Sequence, residues 1–419
     1  MPKRIQVFEH GTLAVGEQGF RNSQFAALVR YNDRHGCTLF QVGYNRLHFG
    51  SFVGVIQVGG AAIEILPKLD NGAEADQAGK WQRALLQMLR QSGLLSVEAA
   101  PDADLRLAQS SLVDFYLDAF LTAVEHLVHD GLSKRYRFTE GNLYKLKGRI
   151  QFAQQVRRNL LHRERMFTAH QVYDRDNAFN RILKCALRIL GSVAVRPSLQ
   201  ARSNAALLWF EEVGDARITA DTFERLRFDR NTERYRRAIQ LARLIIMNYT
   251  PDLRGGNEHV IAILFDMNVL FERFILMQLH RASAQFGGRQ LRVVGQVFKR
   301  FWSNKTIRPD IVASFDCAPA MTKVILDTKW KIPKNGQPAD DDLKQMFTYN
   351  VHVGAQRSLL IYPRASSSQE ERHDVFASSS ALPAGYQHSC GMCFVDLFDS
   401  AQRLRKDIGA ELARRILNG

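Results

Sequence analysis

The chain has 419 residues, of which 46% are hydrophobic, and a formal net charge of +15. This length indicates two or three domains with sizeable cores, and the charge favours a polyanionic partner over a membrane, because no apolar run approaches the roughly 18 residues of a membrane span. With five cysteines and no apolar signal segment, we expect a cytoplasmic protein that contacts nucleic acid.

Residues 1–69 are predicted to form a β-rich N-terminal domain. Apolar runs between turn residues predict four strands. They lie at 25–31, 38–42, 53–58 and 61–66. Gly59-Gly60 joins the last two as a hairpin turn, because glycine tolerates the backbone angles of a tight turn. The small polar residues at 70–77 indicate a linker or an exposed loop.

Residues 80–255 are predicted to form a mainly helical middle domain, because apolar residues recur at helical spacing. A basic hairpin at 134–152, with a turn at 140–142, interrupts the helices. Between residues 134 and 165 the chain carries ten Lys or Arg residues with interleaved aromatic residues. Such a ribbon can bind a phosphate backbone or a protein partner, with Lys145, Lys147 and Arg149 as candidates; alternatively, its aromatic residues are core and its charges merely solvated.

Residues 258–419 are predicted to form an α/β domain. The pattern predicts a helix, a strand, two strands that carry the chemical motif, a further helix, two strands and a final helix. The predicted ranges outside the motif are 260–283, 291–301, 340–350, 358–362, 392–396 and 400–417.

The motif strands carry two carboxylates and a lysine. Asp310 follows Pro309 at the start of an apolar run, and Asp327 and Lys329 end the next strand. Because side chains two apart on a strand share a face, we expect Asp327 and Lys329 to point the same way. Carboxylates suit Mg²⁺, which activates water for phosphodiester hydrolysis, and a lysine can orient that water. The pattern is typical of the restriction-endonuclease-like (PD-(D/E)xK) fold.

Flanking residues strengthen this interpretation. Glu272, on a helix ahead of the motif strands, is a candidate third metal ligand. Gln345 and Tyr349 share one face of the following helix and resemble the arrangement of RecB-like nucleases, where they would brace the site or contact DNA. The cations ahead of Asp310 could neutralise a DNA phosphate. They include Lys299, Arg300 and Arg308.

These motifs, in this order, resemble the McrC family, the nuclease subunits of McrBC-type modified-cytosine restriction systems. The resemblance spans nearly the whole chain, and the string from Val53 to Lys68 is its most specific part. The other matching strings are Leu146–Ile150, Asp176–Leu183, Met267–Phe274, Arg308–Asp310, Leu326–Lys329 and Gln345–Tyr349.

The resemblance implies a Mg²⁺-dependent endonuclease subunit that docks on a hexameric McrB-like AAA+ GTPase and stimulates it. That partner would recognise methylcytosine and translocate double-stranded DNA. The chain itself carries no phosphate-loop motif, since the spacing at 72–81 departs from that pattern. Two complexes would meet, or dimerise, to cut both strands.

Two other functions stay open at this point. A stand-alone RecB-like repair or recombination nuclease would cut without any nucleotide. A non-cleaving adaptor would activate a motor and carry a vestigial site.

Overall fold

The structure is a computed structural model that describes residues 3–36, 39–68, 76–94, 112–250, 259–284, 291–317, 320–365, 369–377 and 387–418. It is a mixed α+β architecture with several sheets. Most of the predicted linker at 70–77 lies outside the described residues. The predicted domain limits stay predictions.

The N-terminal part is β-rich, as predicted, but one predicted strand is wrong. Its elements are β1 (Lys3–Phe8), β2 (Thr12–Ala14), α1 (Asn22–Arg34), β3 (Phe40–Gly43), β4 (Arg46–Phe49), β5 (Phe52–Val58) and β6 (Ala61–Leu66). Residues 25–31 lie in helix α1, where Ala27, Leu28 and Tyr31 are buried on one face. The apolar run there has helical spacing, since positions i, i+1 and i+4 share a helix face.

The middle part is mainly helical, as predicted. Its elements are α2 (Asp76–Gln91), α3 (Leu112–His129), β7 (Arg135–Leu143), β8 (Arg149–Ile150), α4 (Phe152–Asn159), β9 (Met166–Asp174), α5 (Ala178–Val193), α6 (Pro197–Leu208), α7 (Ala220–Glu224) and α8 (Arg236–Met247). The helices outside β7–β9 pack into one apolar cluster that also contains residues of the N-terminal and C-terminal parts.

The predicted hairpin at 134–152 is wrong in its pairing. Strand β7 runs straight through the expected turn at 140–142 and pairs along its whole length with β9, while β8 pairs with the other edge of β9. We name this three-stranded sheet together with α4 the basic ribbon (residues 135–174). The aromatic residues of the predicted hairpin are exposed rather than core, since Tyr136, Phe138 and Tyr144 are at least 70% exposed, whereas Phe167 on β9 is buried.

The C-terminal part completes the chain. Its elements are β10 (Tyr249–Thr250), β11 (Val260–Asp266), α9 (Met267–Ser283), β12 (Arg292–Gly295), β13 (Lys299–Trp302), β14 (Lys305–Ile307), β15 (Ile311–Cys317), β16 (Ala320–Thr328), α10 (Asp340–Val353), β17 (Arg357–Pro363), β18 (His373–Val375), β19 (Ser389–Val395) and α11 (Ile408–Asn418).

Three predictions for this part need correction. Residues 260–266 form a strand, and the helix begins only at Met267. Asp266 caps this helix by accepting a hydrogen bond from the backbone N–H of Asn268. The strand predicted at 291–301 is two strands, separated at Gln296, whose φ is +53°. The last helix begins at Ile408 rather than at residue 400.

Strand β11 belongs to a five-stranded sheet with order β1-β6-β5-β11-β10, and the predicted β5–β6 hairpin lies at its centre. Both faces of this sheet are buried, one against α1 and the other against the large apolar cluster. Gly54 on β5 has a φ of +139°, and a Cβ there would lie 2.1 Å from the carbonyl oxygen of Ile263. Only glycine allows β5 and β11 to approach this closely.

The motif strands β15 and β16 lie within a six-stranded mixed sheet with order β12-β15-β16-β17-β19-β18. They pair antiparallel, whereas β16, β17 and β19 run parallel. Helix α10 connects β16 to β17 and packs on one face of the sheet. The carboxyl ends of the parallel strands therefore open at the edge where the motif residues lie.

Candidate active site

Strand pairing brings the two motif aspartates together. Ile311 pairs with Leu326, so Asp310, directly before β15, lies opposite Asp327 near the end of β16. The backbone N–H and the hydroxyl of Thr328 both donate hydrogen bonds to Oδ2 of Asp310, at 2.9 and 3.0 Å. These two bonds fix the Asp310 carboxylate at the end of its neighbouring strand.

Asp327 is the most buried carboxylate of the site, with 1% of its side chain exposed. Its Oδ2 lies 2.7 Å from Nζ of Lys329, so the two side chains share a face as predicted. Burial and, after it, the nearby Asp310 charge raise the pKa of the Asp327 carboxyl to about 7, even though Lys329 opposes both effects. The carboxylate form of Asp327 thus depends on a nearby cation.

Lys329 is held by three acceptors. Besides Asp327, its Nζ lies 3.2 Å from Oδ1 of Asp342 and donates to Oε1 of Gln345 at 3.0 Å. Burial alone would lower the pKa of Lys329, but the Asp327 and Asp342 carboxylates outweigh burial and leave the pKa raised. Lys329 is therefore a fixed ammonium group rather than a neutral base.

Gln345 and Tyr349 form a relay on helix α10 that leads back to the motif. The amide of Gln345 donates to the Tyr349 hydroxyl at 2.8 Å, and that hydroxyl donates to the backbone carbonyl of Arg308 at 3.1 Å. The relay ties Lys329 to the segment that carries Asp310. Its position supports the predicted bracing role of Gln345 and Tyr349.

Glu272 lies on the side of helix α9 that faces the site and is buried. Gln296 donates a hydrogen bond to its Oε1 at 3.0 Å, and the backbone N–H of Gln296 donates to the carbonyl of Asp310 at 2.8 Å. Burial raises the pKa of Glu272 and the Asp310 charge adds to it, whereas Arg308 lowers it. Glu272 and Asp310 are thus electrostatic neighbours.

The donors are of the kind that a hard cation binds, since Mg²⁺ takes carboxylate oxygens. The Asp310 charge repels those of Glu272 and Asp327, and a divalent cation would relieve this repulsion. Among the described residues, however, no three His, Cys, Asp or Glu side chains are placed to hold a metal ion as they stand. The carboxylates that could approach a hard cation are those of Asp310 and Asp327, with Glu272 beside them.

The predicted basic residues lie in different places. Arg308 is exposed next to the site, with its guanidinium 5.8 Å from the ring centre of Phe298. Lys299 and Arg300 lie on the small β13–β14 hairpin, where their side chains bind the backbone carbonyls of His352 and Ser303. The other three candidates are exposed on the basic ribbon, outside the acid–lysine cluster. They are Lys145, Lys147 and Arg149.

Asp342 was not predicted as a site residue. It is 7% exposed and also binds Lys331 at 2.6 Å. In the sequence it is the third of three consecutive aspartates at the start of α10, where negative charge commonly stabilises a helix N-terminus. Only the position of Lys329 in space distinguishes Asp342 from its two exposed neighbours.

The described part of the chain contains no helix long and apolar enough to cross a membrane.

Fold and site define a multidomain α+β protein with an acid–lysine cluster where one strand of a mixed sheet begins and its antiparallel neighbour ends. A family model described as "McrBC 5-methylcytosine restriction system component" matches residues 47–363. The chain belongs to this family, which confirms the resemblance predicted from the motifs. No match was found among curated proteins.

Two solved structures are similar to the chain. One is a refined half-complex from a tetradecameric assembly of Thermococcus gammatolerans McrB AAA+ hexamers with bound McrC, at 19% identity, a TM-score of 0.65 and 99% coverage of both chains. The other is the Thermococcus gammatolerans McrBC complex, at 20% identity, a TM-score of 0.48 and coverage of 67% of this chain and 88% of that one. At such identity the first likeness shows a shared fold.

Proposed function

We propose that the chain is the DNA-cleaving subunit of a modification-dependent restriction system. The observation that carries this proposal is the ordered site of Asp310, Asp327 and Lys329 in a chain that belongs to the McrBC family. The reaction is hydrolysis of a DNA phosphodiester bond, and the fold of residues 258–419 is proposed to be of the restriction-endonuclease-like type.

Asp310 and Asp327 would hold Mg²⁺, with Glu272 as a further candidate ligand. When bound, the ion supplies Lewis acidity and lowers the pKa of water. Asp310 is suited to this role because Thr328 occupies only its Oδ2, and Asp327 because a nearby cation favours its charged form. In the structure, the cation beside Asp327 is the ammonium group of Lys329.

Lys329 would position the attacking water or stabilise charge at the phosphate. An ammonium group has three N–H donors, and three acceptors surround this one: Asp327, Asp342 and Gln345. To serve the reaction, Lys329 must exchange one of these acceptors for water or phosphate oxygen. Gln345 is the easiest to exchange, because a neutral amide holds an ammonium less strongly than a carboxylate does.

We further propose that the protein works with an AAA+ GTPase, as the McrC of the similar Thermococcus gammatolerans complex is bound to McrB AAA+ hexamers. The basic ribbon is a candidate contact for DNA or for this partner, because its aromatic and basic side chains are exposed together. Recognition of methylcytosine would then belong to the partner.

The test is cleavage of methylated plasmid DNA by the full chain with its cognate AAA+ GTPase, GTP and Mg²⁺. Asp327→Asn should lower the cleavage rate on the order of 100-fold or more, because it removes the buried charge that faces Lys329. Asp396→Asn is the matched control. Asp396 directly follows the parallel strand β19, and its carboxylate binds Arg364 at 3.2 Å rather than Lys329.

Full cutting by Asp327→Asn would overturn the nuclease site. Cutting by the parent chain without GTP or partner would favour the stand-alone repair nuclease. Stimulation of the GTPase by both parent and variant, with no cutting by either, would favour the non-cleaving adaptor.

A further inference from the structure

The residue directly after the candidate lysine joins the site to the N-terminal sheet. Trp330 is buried, and its indole N–H donates a hydrogen bond to Oε1 of Glu9 at 2.7 Å. The two residues are 321 positions apart in the chain. Glu9 is 2% exposed, so this bond is shielded from water and worth more than a surface contact.

Glu9 is itself fixed by the sheet. It follows β1, and its backbone N–H donates to the carbonyl of Leu66 on β6 at 2.8 Å. Its Oε1 also accepts a hydrogen bond from the backbone N–H of Lys68 at 2.8 Å. The Glu9 carboxylate therefore connects the ends of β1 and β6 to Trp330.

Trp330 packs against the helix that carries Glu272. Its ring meets Phe271 edge to face at 5.2 Å between centroids, and Phe271 directly precedes Glu272 on α9. On another side the ring meets Trp81 of α2 at 6.3 Å. Because Trp330 directly follows Lys329, a shift of the indole would move the backbone of Lys329. The backbone N–H of Lys329 donates a hydrogen bond to the carbonyl oxygen of Ile361 on β17.

We infer that Glu9 is a positioning residue for the cleavage site, acting through Trp330 on Lys329. The inference rests on the proposed function. Its consequence is that the position of the N-terminal sheet, which the family resemblance implies as a partner-docking part, is coupled to the position of Lys329. A displacement of the ends of β1 and β6 reaches Lys329 through one buried hydrogen bond.

The test compares single-turnover cleavage of methylated plasmid by the full chain with its cognate AAA+ GTPase, GTP and Mg²⁺. Glu9→Ala and Trp330→Phe should each lower the rate between about 10- and 100-fold, because small displacements of a catalytic group have large effects on rate. Glu9→Gln should restore at least half of the parent rate, since its amide oxygen can accept both bonds that Oε1 accepts. The double variant should be no slower than Glu9→Ala alone, because both changes remove one interaction.

Glu64→Ala is the matched control for stability. Glu64 is also buried on this sheet and does not contact the site. It binds Gln6 and Gln82 and forms an ion pair with Arg4 at 3.4 Å. Its cleavage rate should stay within about threefold of the parent at a similar loss of melting temperature. Glu9→Ala or Trp330→Phe at the parent rate would overturn the inference, as would equal losses for Glu9→Ala and Glu9→Gln, or a Glu64→Ala loss as large as that of Glu9→Ala.

These results are distinguishable from a failure of the proposed function. If Asp327→Asn is inactive while Glu9→Ala cuts at the parent rate, the nuclease assignment stands and the positioning role is wrong. If Asp327→Asn cuts normally, the nuclease assignment itself is wrong.

Discussion

Charge at single residues determines what the site can do. Four carboxylates and one ammonium group meet where β15 begins and β16 ends: Glu272, Asp310, Asp327 and Asp342 around Lys329. Burial and the Asp310 charge both raise the pKa values of Asp327 and Glu272. Lys329 compensates part of this repulsion through Asp327 and Asp342. The site is thus built for an additional positive charge.

The Tyr349 hydroxyl provides a test of the relay behind Lys329. Tyr349→Phe removes the bond from Gln345 and the bond to the Arg308 carbonyl, so stability should fall by about 1–2 kcal/mol. Cleavage should fall as well, since Gln345 loses the group that orients it. Thermal melting and cleavage assays measure the two effects.

Tyr362→Phe is the control for this change. Tyr362 is fully buried on β17, in the sheet on which α10 packs, and its hydroxyl has no hydrogen-bond partner among the described residues. Its removal should be neutral or stabilising. A Tyr349→Phe variant as stable and active as Tyr362→Phe would contradict the bracing role.

Glu9 gives the pH dependence of stability. Burial raises the pKa of its carboxyl to about 7, although hydrogen bonds from Lys68 and Trp330 lower it. The unfolded chain releases this proton near its ordinary value of about 4.3, so the folded state binds more protons between these values. Stability from this group is therefore present at low pH and is lost as pH rises toward about 7.

Glu9→Gln removes this titration. Relative to the parent, the variant should gain about 2–3 kcal/mol between pH 5 and pH 8. Urea unfolding at both pH values measures the difference. Parallel pH profiles for parent and variant would show that Glu9 does not hold a proton in the folded state.

The sequence identifies the residues of the motif better than their supporting contacts. Asp327 and Lys329 are recognisable because they lie two positions apart at the end of an apolar strand. Asp342 and Gln296 are not recognisable in this way. Asp342 looks like an ordinary acidic residue at a helix start, and Gln296 lies at a strand break with a positive φ. Such roles depend on which side chains are close in space, which a single sequence does not state.

At the level of elements, the sequence predicts strand pairs that are adjacent in the chain better than pairs that are far apart. The β5–β6 hairpin is predicted correctly because strand runs and a Gly-Gly turn are adjacent in the chain. The turn at 140–142 is wrong because the partner of β7 is β9, beyond a helix and a further strand. Strand β11 is mistaken for helix because its apolar run continues into α9, although Asp266 supplies a visible helix cap.

Gly54 tests the close approach of β5 and β11. Gly54→Ala places a Cβ against the Ile263 carbonyl at a φ that L-residues avoid, so it should destabilise the protein by more than about 2 kcal/mol. Gly60→Ala in the hairpin turn is the control, because its Cβ would meet no atom within 4 Å. Equal melting temperatures for both variants would contradict the close packing of these strands.

The whole molecule carries a net charge of +15, which its fold does not require. The basic ribbon projects part of this charge beside exposed aromatic rings, and Gly148 shapes its edge, since a Cβ there would lie 2.4 Å from the Ala169 carbonyl. Its long-range electrostatic field favours association with a polyanion. The alternation of inward and outward side chains in β7 leaves neither face fully buried.

The last prediction separates the two partners that the ribbon could contact. In a triple alanine variant of Lys145, Lys147 and Arg149, all exposed, loss of DNA contact should weaken binding and reduce the salt slope of log K by nearly three, about 0.9 for each phosphate contact. Loss of partner contact should instead leave the slope unchanged and abolish co-sedimentation with the AAA+ GTPase. The control removes three exposed arginines elsewhere in the middle part, at equal net charge. They are Arg217, Arg227 and Arg230. If control and ribbon variants behave alike, net charge rather than the ribbon governs association.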